Sequence, residues 1–180
     1  MNGKEMNEHW KEYHVRPITE ADDSLIAEII RTNLKKYHLD IPGTVYFDPE
    51  VEHLSKYYHA LPDKRGYFIA VGDDGRVIGG VGIAEFAGFE SCAELQKLYL
   101  TDAVKGNGIG KYLMRVAEEF AQKAGYERMY LETHTNLETA IHMYEKIGFC
   151  QISRPEAVVH STMNRFYIKE LTSNTTDDAE

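Results

Sequence analysis

The sequence predicts one mixed α/β domain, and three observations predict it. Two strand patterns meet across Gly72-Asp73-Asp74-Gly75, which makes a hairpin and therefore an antiparallel pair. After the hairpin the order becomes strand, helix, strand, helix, which a purely antiparallel sheet does not need and a mixed sheet does. The chain has 180 residues, enough for one core, and neither a linker nor an internal repeat divides it.

In chain order, Tyr13 to Ile18 reads as a strand, and Thr19 with Asp22 three places on forms an acidic variant of the capping box that opens a helix. Leu25, Ile26, Ile29, Ile30 and Leu34 mark the expected buried face of that helix. Tyr37 to Phe47 is irregular around Pro42-Gly43. Asp48 and Pro49 then supply an N-cap and a first-turn proline for a second helix, Glu50 to Ala60. Tyr67 to Val71 and Arg76 to Phe86 are the hairpin strands, and Gly79, Gly80 and Gly82 in the second fit a bulge or the close approach of a ligand. Ala93 to Leu100 is the next strand. The helix after it shows the stripe Ile109, Leu113, Val116, Ala117, Phe120 and Ala124 and stops at Gly125. Glu127 to Thr133 is a strand, and Thr135 with Glu138 forms a capping box for a helix running to Ile147 and ended by Gly148. Phe149 to Ser153 and Ser161 to Leu171 close the sheet. The polar stretches 1–12 and 172–180 lack periodicity and read as frayed ends of a single domain spanning 1–180.

Composition narrows the function classes. A net charge of -9 without a dense Lys/Arg run argues against a nucleic acid or an anionic membrane as partner. Two cysteines, Cys92 and Cys150, are too few for a disulfide framework and read as free thiols. The amino terminus has no apolar run behind a basic start, so the expected compartment is the cytoplasm. The histidines are scattered without the spacing of a metal site, and no metal is expected. A nucleophile elbow is also absent from the sequence.

The strongest local signal is Lys105-Gly106-Asn107-Gly108-Ile109-Gly110, set where a strand ends and a helix begins. The first N–H groups of a helix have no internal partners, and glycines let a phosphate approach them closely. A P-loop is excluded, because it needs a glycine where Lys105 stands and a Ser or Thr where Tyr112 stands. A dinucleotide fingerprint is disfavoured, since Lys111 occupies the place of its third glycine.

Lys105-x-x-Gly108-x-Gly110 resembles the Arg/Gln-x-x-Gly-x-Gly/Ala motif of the GNAT acetyltransferases, with lysine in first place. Thr135 to Phe149 (TNLETAIHMYEKIGF) is similar to that family's second coenzyme A motif, and the order of elements agrees from Tyr13 to Leu171. The resemblance implies a GNAT fold: a central mixed, twisted sheet, splayed at the coenzyme A site, with helices on both faces. It implies acetyl-CoA as co-substrate and an amine of a small molecule or peptide as acceptor. Lys105, Gly106, Asn107, Gly108, Ile109 and Gly110 would cradle the pyrophosphate, and the backbone of Leu98, Tyr99 and Leu100 would bond the pantetheine arm. Tyr144 would protonate the departing thiolate. The family's asparagine seven residues before that tyrosine is replaced by Leu137, with Asn136 one place earlier as a coenzyme contact or a helix cap.

Glu94 and Glu132, on adjacent predicted strands, are both candidate general bases, with His134 a third. The acids Asp40, Asp48, Glu50 and Glu52 among Tyr46, Phe47, Tyr57 and Tyr58 suggest a cationic or polar acceptor. A coenzyme A-binding sensor without transfer is the alternative of another class, and use of a longer acyl group a further one. A homodimer stays open.

Overall fold

The computed structural model describes residues 13–171; the two stretches expected to fray lie outside them. Seven strands form one sheet in the order β1-β2-β3-β4-β5-β7-β6. They are β1 (Tyr13–Pro17), β2 (Gly66–Gly72), β3 (Val77–Glu85), β4 (Cys92–Leu100), β5 (Arg128–Thr133), β6 (Cys150–Ile152) and β7 (Arg165–Glu170). Only β4 and β5 are parallel neighbours, so the sheet is mixed. Helices α1 (Asp23–Lys36) and α2 (Leu54–His59) bury one face, with Ile26, Ile30 and Tyr58 packed among Tyr67 and Ile69. Helices α3 (Ile109–Lys123) and α4 (Glu138–Lys146) cover the other, with Leu113, Ala117 and Tyr144 packed among Val81, Leu95 and Leu131.

The capping box at Thr19 forms, and it is reinforced. Asp22 accepts the Thr19 N–H and hydroxyl at 2.8 Å each and two bonds from Arg16 at 2.7 and 2.8 Å. The Arg16 hydrogen bonds are the main reason the Asp22 carboxyl is held down at about 2. The buried face of α1 is rotated from the expected one: Ile26, Ala27, Ile30, Asn33 and Leu34 complete one helical face, which leaves Leu25 47% exposed.

The second helix is shorter than its pattern. Pro49–Glu52 forms a 3-10 turn, and α2 begins at Leu54 after a break at His53 (φ -141°, ψ 41°). Asp23 reaches across from α1 and accepts the Ser55 N–H at 2.8 Å and its hydroxyl at 2.6 Å. An orphan donor of one helix is thereby satisfied by the start of another. The Thr135–Glu138 capping box does not form, because α4 starts at Glu138 with Leu137 at the cap position. Thr135 is pinned to Asn164 instead, its N–H donating at 3.0 Å and its hydroxyl oxygen accepting at 3.3 Å.

The glycines of β3 seat aromatic rings. A Cβ on Gly82 would stand 2.3 Å from the Tyr58 hydroxyl, and one on Gly80 would stand 2.5 Å from the Tyr67 ring. The bulge falls on the partner strand. Gly80 pairs with Tyr99 and Gly82 with Gln96, so β4 carries one residue more than β3 over this interval, and Lys97 adopts φ +50° there. The Tyr67 hydroxyl donates to the Lys97 carbonyl at 2.8 Å and fixes the bulge from β2.

Pairing between β4 and β5 covers three positions, Cys92 with Arg128, Ala93 with Met129 and Glu94 with Tyr130. Beyond Glu94 the two strands diverge, and the sheet opens as a V between Leu95–Leu100 and Leu131–Thr133.

Candidate active site

At the C-terminal end of β4 the chain passes through a 3-10 turn, Asp102–Val104, into the glycine loop. Gly106 (φ +83°) and Gly108 (φ +80°) hold left-handed conformations that side chains resist, and a Cβ on either would meet nothing within 4 Å. The loop therefore needs glycine for its backbone and leaves an open face above it. Gly108 is the N-cap of α3, so the N–H groups of Ile109, Gly110 and Lys111 point out of the helix end without intrahelical acceptors. Ile109 anchors that turn with a side chain only 1% exposed. The Lys105 ammonium donates to Asn33 at 2.7 Å and Asp102 at 2.6 Å, bracing the loop against α1.

A cavity of about 580 Å³ begins at this loop and runs through the V. Leu98, Tyr99 and Leu100 form one wall and Leu131, Glu132 and Thr133 the other, with Ala140, Met143 and Tyr144 of α4 beside them. The Leu100 carbonyl is already engaged by the Asn33 amide at 2.9 Å. Asn107 and Asn136 do not line the cavity. Asn136 donates through Nδ2 to the Tyr37 carbonyl at 2.9 Å, and its N–H bonds Nδ1 of His134 at 3.1 Å. It thus latches the α4 turn to α1, and His134 serves the same turn.

Tyr144 is 7% exposed, and among the described residues its hydroxyl has no hydrogen-bond partner. Among the described residues no fully buried side-chain oxygen lacks a partner, so this hydroxyl opens onto the cavity that its residue lines. Burial pushes the phenol well above its ordinary value, which keeps it protonated and able to donate.

The far end of the cavity is charged. Half-buried Glu94 accepts from Gln96 Nε2 at 2.7 Å, and Gln96 is held by the Tyr58 hydroxyl at 2.8 Å. Burial is the first cause that lifts the Glu94 carboxyl to about 7; the Gln96 bond opposes this and the nearby Glu132 charge adds to it. Glu132 is engaged differently: its carboxylate accepts from Nδ1 of His160 at 2.8 Å and from the Tyr130 hydroxyl at 3.1 Å. Nε2 of His160 lies 3.0 and 3.1 Å from the two oxygens of Asp48. Burial works against the imidazolium, but hydrogen bonds to Asp48 and Glu132 outweigh it and push His160 up to about 9. The two candidate bases are therefore unlike: Glu132 is paired with the His160 imidazolium, whereas among the described residues Glu94 has no cation bonded to it.

His160 and Lys97 are the members of this site that sequence reasoning missed. His160 lies 28 residues from Glu132 and 112 from Asp48, in a loop without periodicity, so no local signal marks it. Lys97 had a signal: Ala93, Leu95, Leu98 and Leu100 recur at steps of two, three and two, and the step of three betrays the bulge. The acidic residues thought to attract a cation are partly spent: Asp48 is paired with His160, and Glu52 with Arg31.

A glycine-lined helix end joined through a splayed sheet to a buried phenol and a titratable carboxylate defines an acyltransferase of the acetyl-CoA-dependent class. The model of the acetyltransferase (GNAT) family matches residues 30–149, and the chain belongs to that family. It is 39% identical over 137 residues to the uncharacterized N-acetyltransferase YjgM of Escherichia coli (strain K12), covering 75% of this chain and 80% of that one. The fold is similar to that of a GNAT acetyltransferase from Staphylococcus aureus Mu50, with a TM-score of 0.79, 19% identity and coverage of 89% and 100% of the two chains. It is also similar to yncA, a putative acetyltransferase from Salmonella typhimurium solved with acetyl-CoA, with a TM-score of 0.69, 20% identity and coverage of 93% and 99%. Among the described residues no helix is long and apolar enough to cross a membrane.

Proposed function

We propose that the chain is an N-acetyltransferase that moves acetyl from acetyl-CoA to a primary amine of a small molecule or peptide by direct attack. One observation carries the reading: a single cavity is lined by the glycine cradle, by Tyr144 and by Glu94. The cradle suits the co-substrate. Its outward N–H groups and the positive end of α3 match a pyrophosphate, and Gly106 and Gly108 leave room for one. On the side that faces β5, β4 has no strand partner beyond Glu94 among the described residues, and this edge suits the pantetheine amides.

In this reading Glu94 removes a proton from the acceptor ammonium, directly or through a water, because an amine attacks only when neutral. Its value of about 7 places it near working pH, where a general base is most effective. Tyr144 gives its proton to the departing thiolate. A thiolate in the same buried space also becomes more basic, so the transfer stays near balance although the phenol is raised. Glu132 and His160 hold Asp48 and the wall around Glu94, and the chain's main contribution is positioning.

Thiol release from acetyl-CoA across a panel of amines tests the reading. Tyr144→Phe keeps the ring and removes the hydroxyl, so kcat should fall roughly 10²-fold while coenzyme affinity holds. Full turnover by that variant would overturn the role of Tyr144. Tight coenzyme binding without thiol release on any amine would make the chain a sensor instead.

A further inference from the structure

We propose that the acceptor is a small zwitterion of the amino acid type, with Lys97 as the partner of its carboxylate and Glu94 as the base for its amine. This rests on the acyl-transfer reading above and adds a substrate class to it.

The Lys97 side chain is 8% exposed, yet its ammonium makes no hydrogen bond among the described residues. The nearest carboxylate oxygen is on Asp48 at 3.7 Å, outside hydrogen-bond distance, and that carboxylate is already engaged at both oxygens by His160. No side-chain nitrogen among the described residues is both fully buried and unpaired, so the ammonium reaches the cavity that Lys97 lines. An ammonium carries three donors, and a buried charge with none of them satisfied is costly. The bulge puts it there: with φ +50° at Lys97 held by Tyr67, this side chain joins Glu94 and Gln96 at the same end of the cavity.

Charge selects the ligand. His160 bonds both Asp48 and Glu132, and among the described residues Glu94 is the carboxylate at this end with no cation bonded to it, while the Lys97 ammonium stays outside hydrogen-bond distance of Asp48. A polycation would meet Lys97 and the His160 imidazolium without a free acid beyond Glu94. A molecule with one ammonium and one carboxylate meets Glu94 with the first and Lys97 with the second, so each of its charged groups faces an opposite one. The cavity of about 580 Å³ also has to receive the thioester arm, which limits the acceptor to a small molecule.

The test measures thiol release with a free amino acid, its carboxamide and its decarboxylated amine, on the wild type, Lys97→Met and Lys97→Arg. The expected result is that the wild type prefers the acid, that Lys97→Met lowers the ratio of kcat/KM for acid over decarboxylated amine at least tenfold, and that Lys97→Arg restores part of it. Equal use of the three compounds by the wild type would overturn the proposal and leave acyl transfer standing, as would an unchanged ratio in Lys97→Met. If no amine is acetylated, the transfer reading fails, and calorimetry with an N-acetyl amino acid in the presence of coenzyme A decides the subsite separately. Binding that Lys97→Met weakens at least tenfold upholds the carboxylate site; no binding, or binding indifferent to Lys97, overturns it.

Discussion

At the scale of single residues, Glu94 carries two opposite consequences of one burial. As a base it must be ionised, so kcat/KM should rise with pH through about 7 and level off above. Glu94→Gln should remove that ionisation from the profile and lower kcat by about 10²-fold or more. As a structural group it acts the other way. Its folded value lies above the ordinary carboxylate value of 4.5, so the stability it allows is complete below about pH 4.5 and is lost as pH rises through about 7. The inactive Gln variant should therefore match the wild type in acid and exceed it by about 1–3 kcal/mol at pH 8. Urea denaturation at the two pH values checks this, and equal stability at pH 8 would refute the burial account.

At the scale of elements, the end of α3 shows how a loop is tuned for an anion. Gly108 has a left-handed φ, but no atom lies within 4 Å of where a Cβ would be. Gly108→Asp and Gly108→Asn suffer similar backbone strain and differ in charge. Calorimetry should show both variants losing affinity for coenzyme A, with Asp weaker than Asn by at least tenfold; equal loss would mean that shape alone matters. Elements such as α3 and the β2–β3 hairpin were legible in the sequence because their signals are local, a stripe of apolar residues or a turn dipeptide. The α2 region was less so. Its break at His53 depends on Asp23 reaching Ser55 from 32 residues away, which no window of sequence contains. The same limit hid His160, whereas the glycine loop and Tyr144 stood out because each is part of a contiguous motif.

At the scale of the whole molecule, the sheet order has a consequence for how the chain is made. β6 precedes β7 in sequence, but β7 lies between β5 and β6 in space, paired along Arg128 to Thr133 on one side and Cys150 to Ile152 on the other. While the protein is being synthesised, β5 thus keeps an open edge until residues 165–170 have left the ribosome, and β6 has nothing to pair with. An unpaired edge is a template for other chains. Fragments ending near residue 160 should keep the β1–β4 half protease-resistant while β5 and α4 are cut. Such fragments should also aggregate, which light scattering during refolding would record. Full resistance of β5 in that fragment would show that the halves close independently. Among the described strands, β7 is the wedge that completes the wall carrying Glu132, so the acceptor end of the cavity stays open until residues 165–170 have been made.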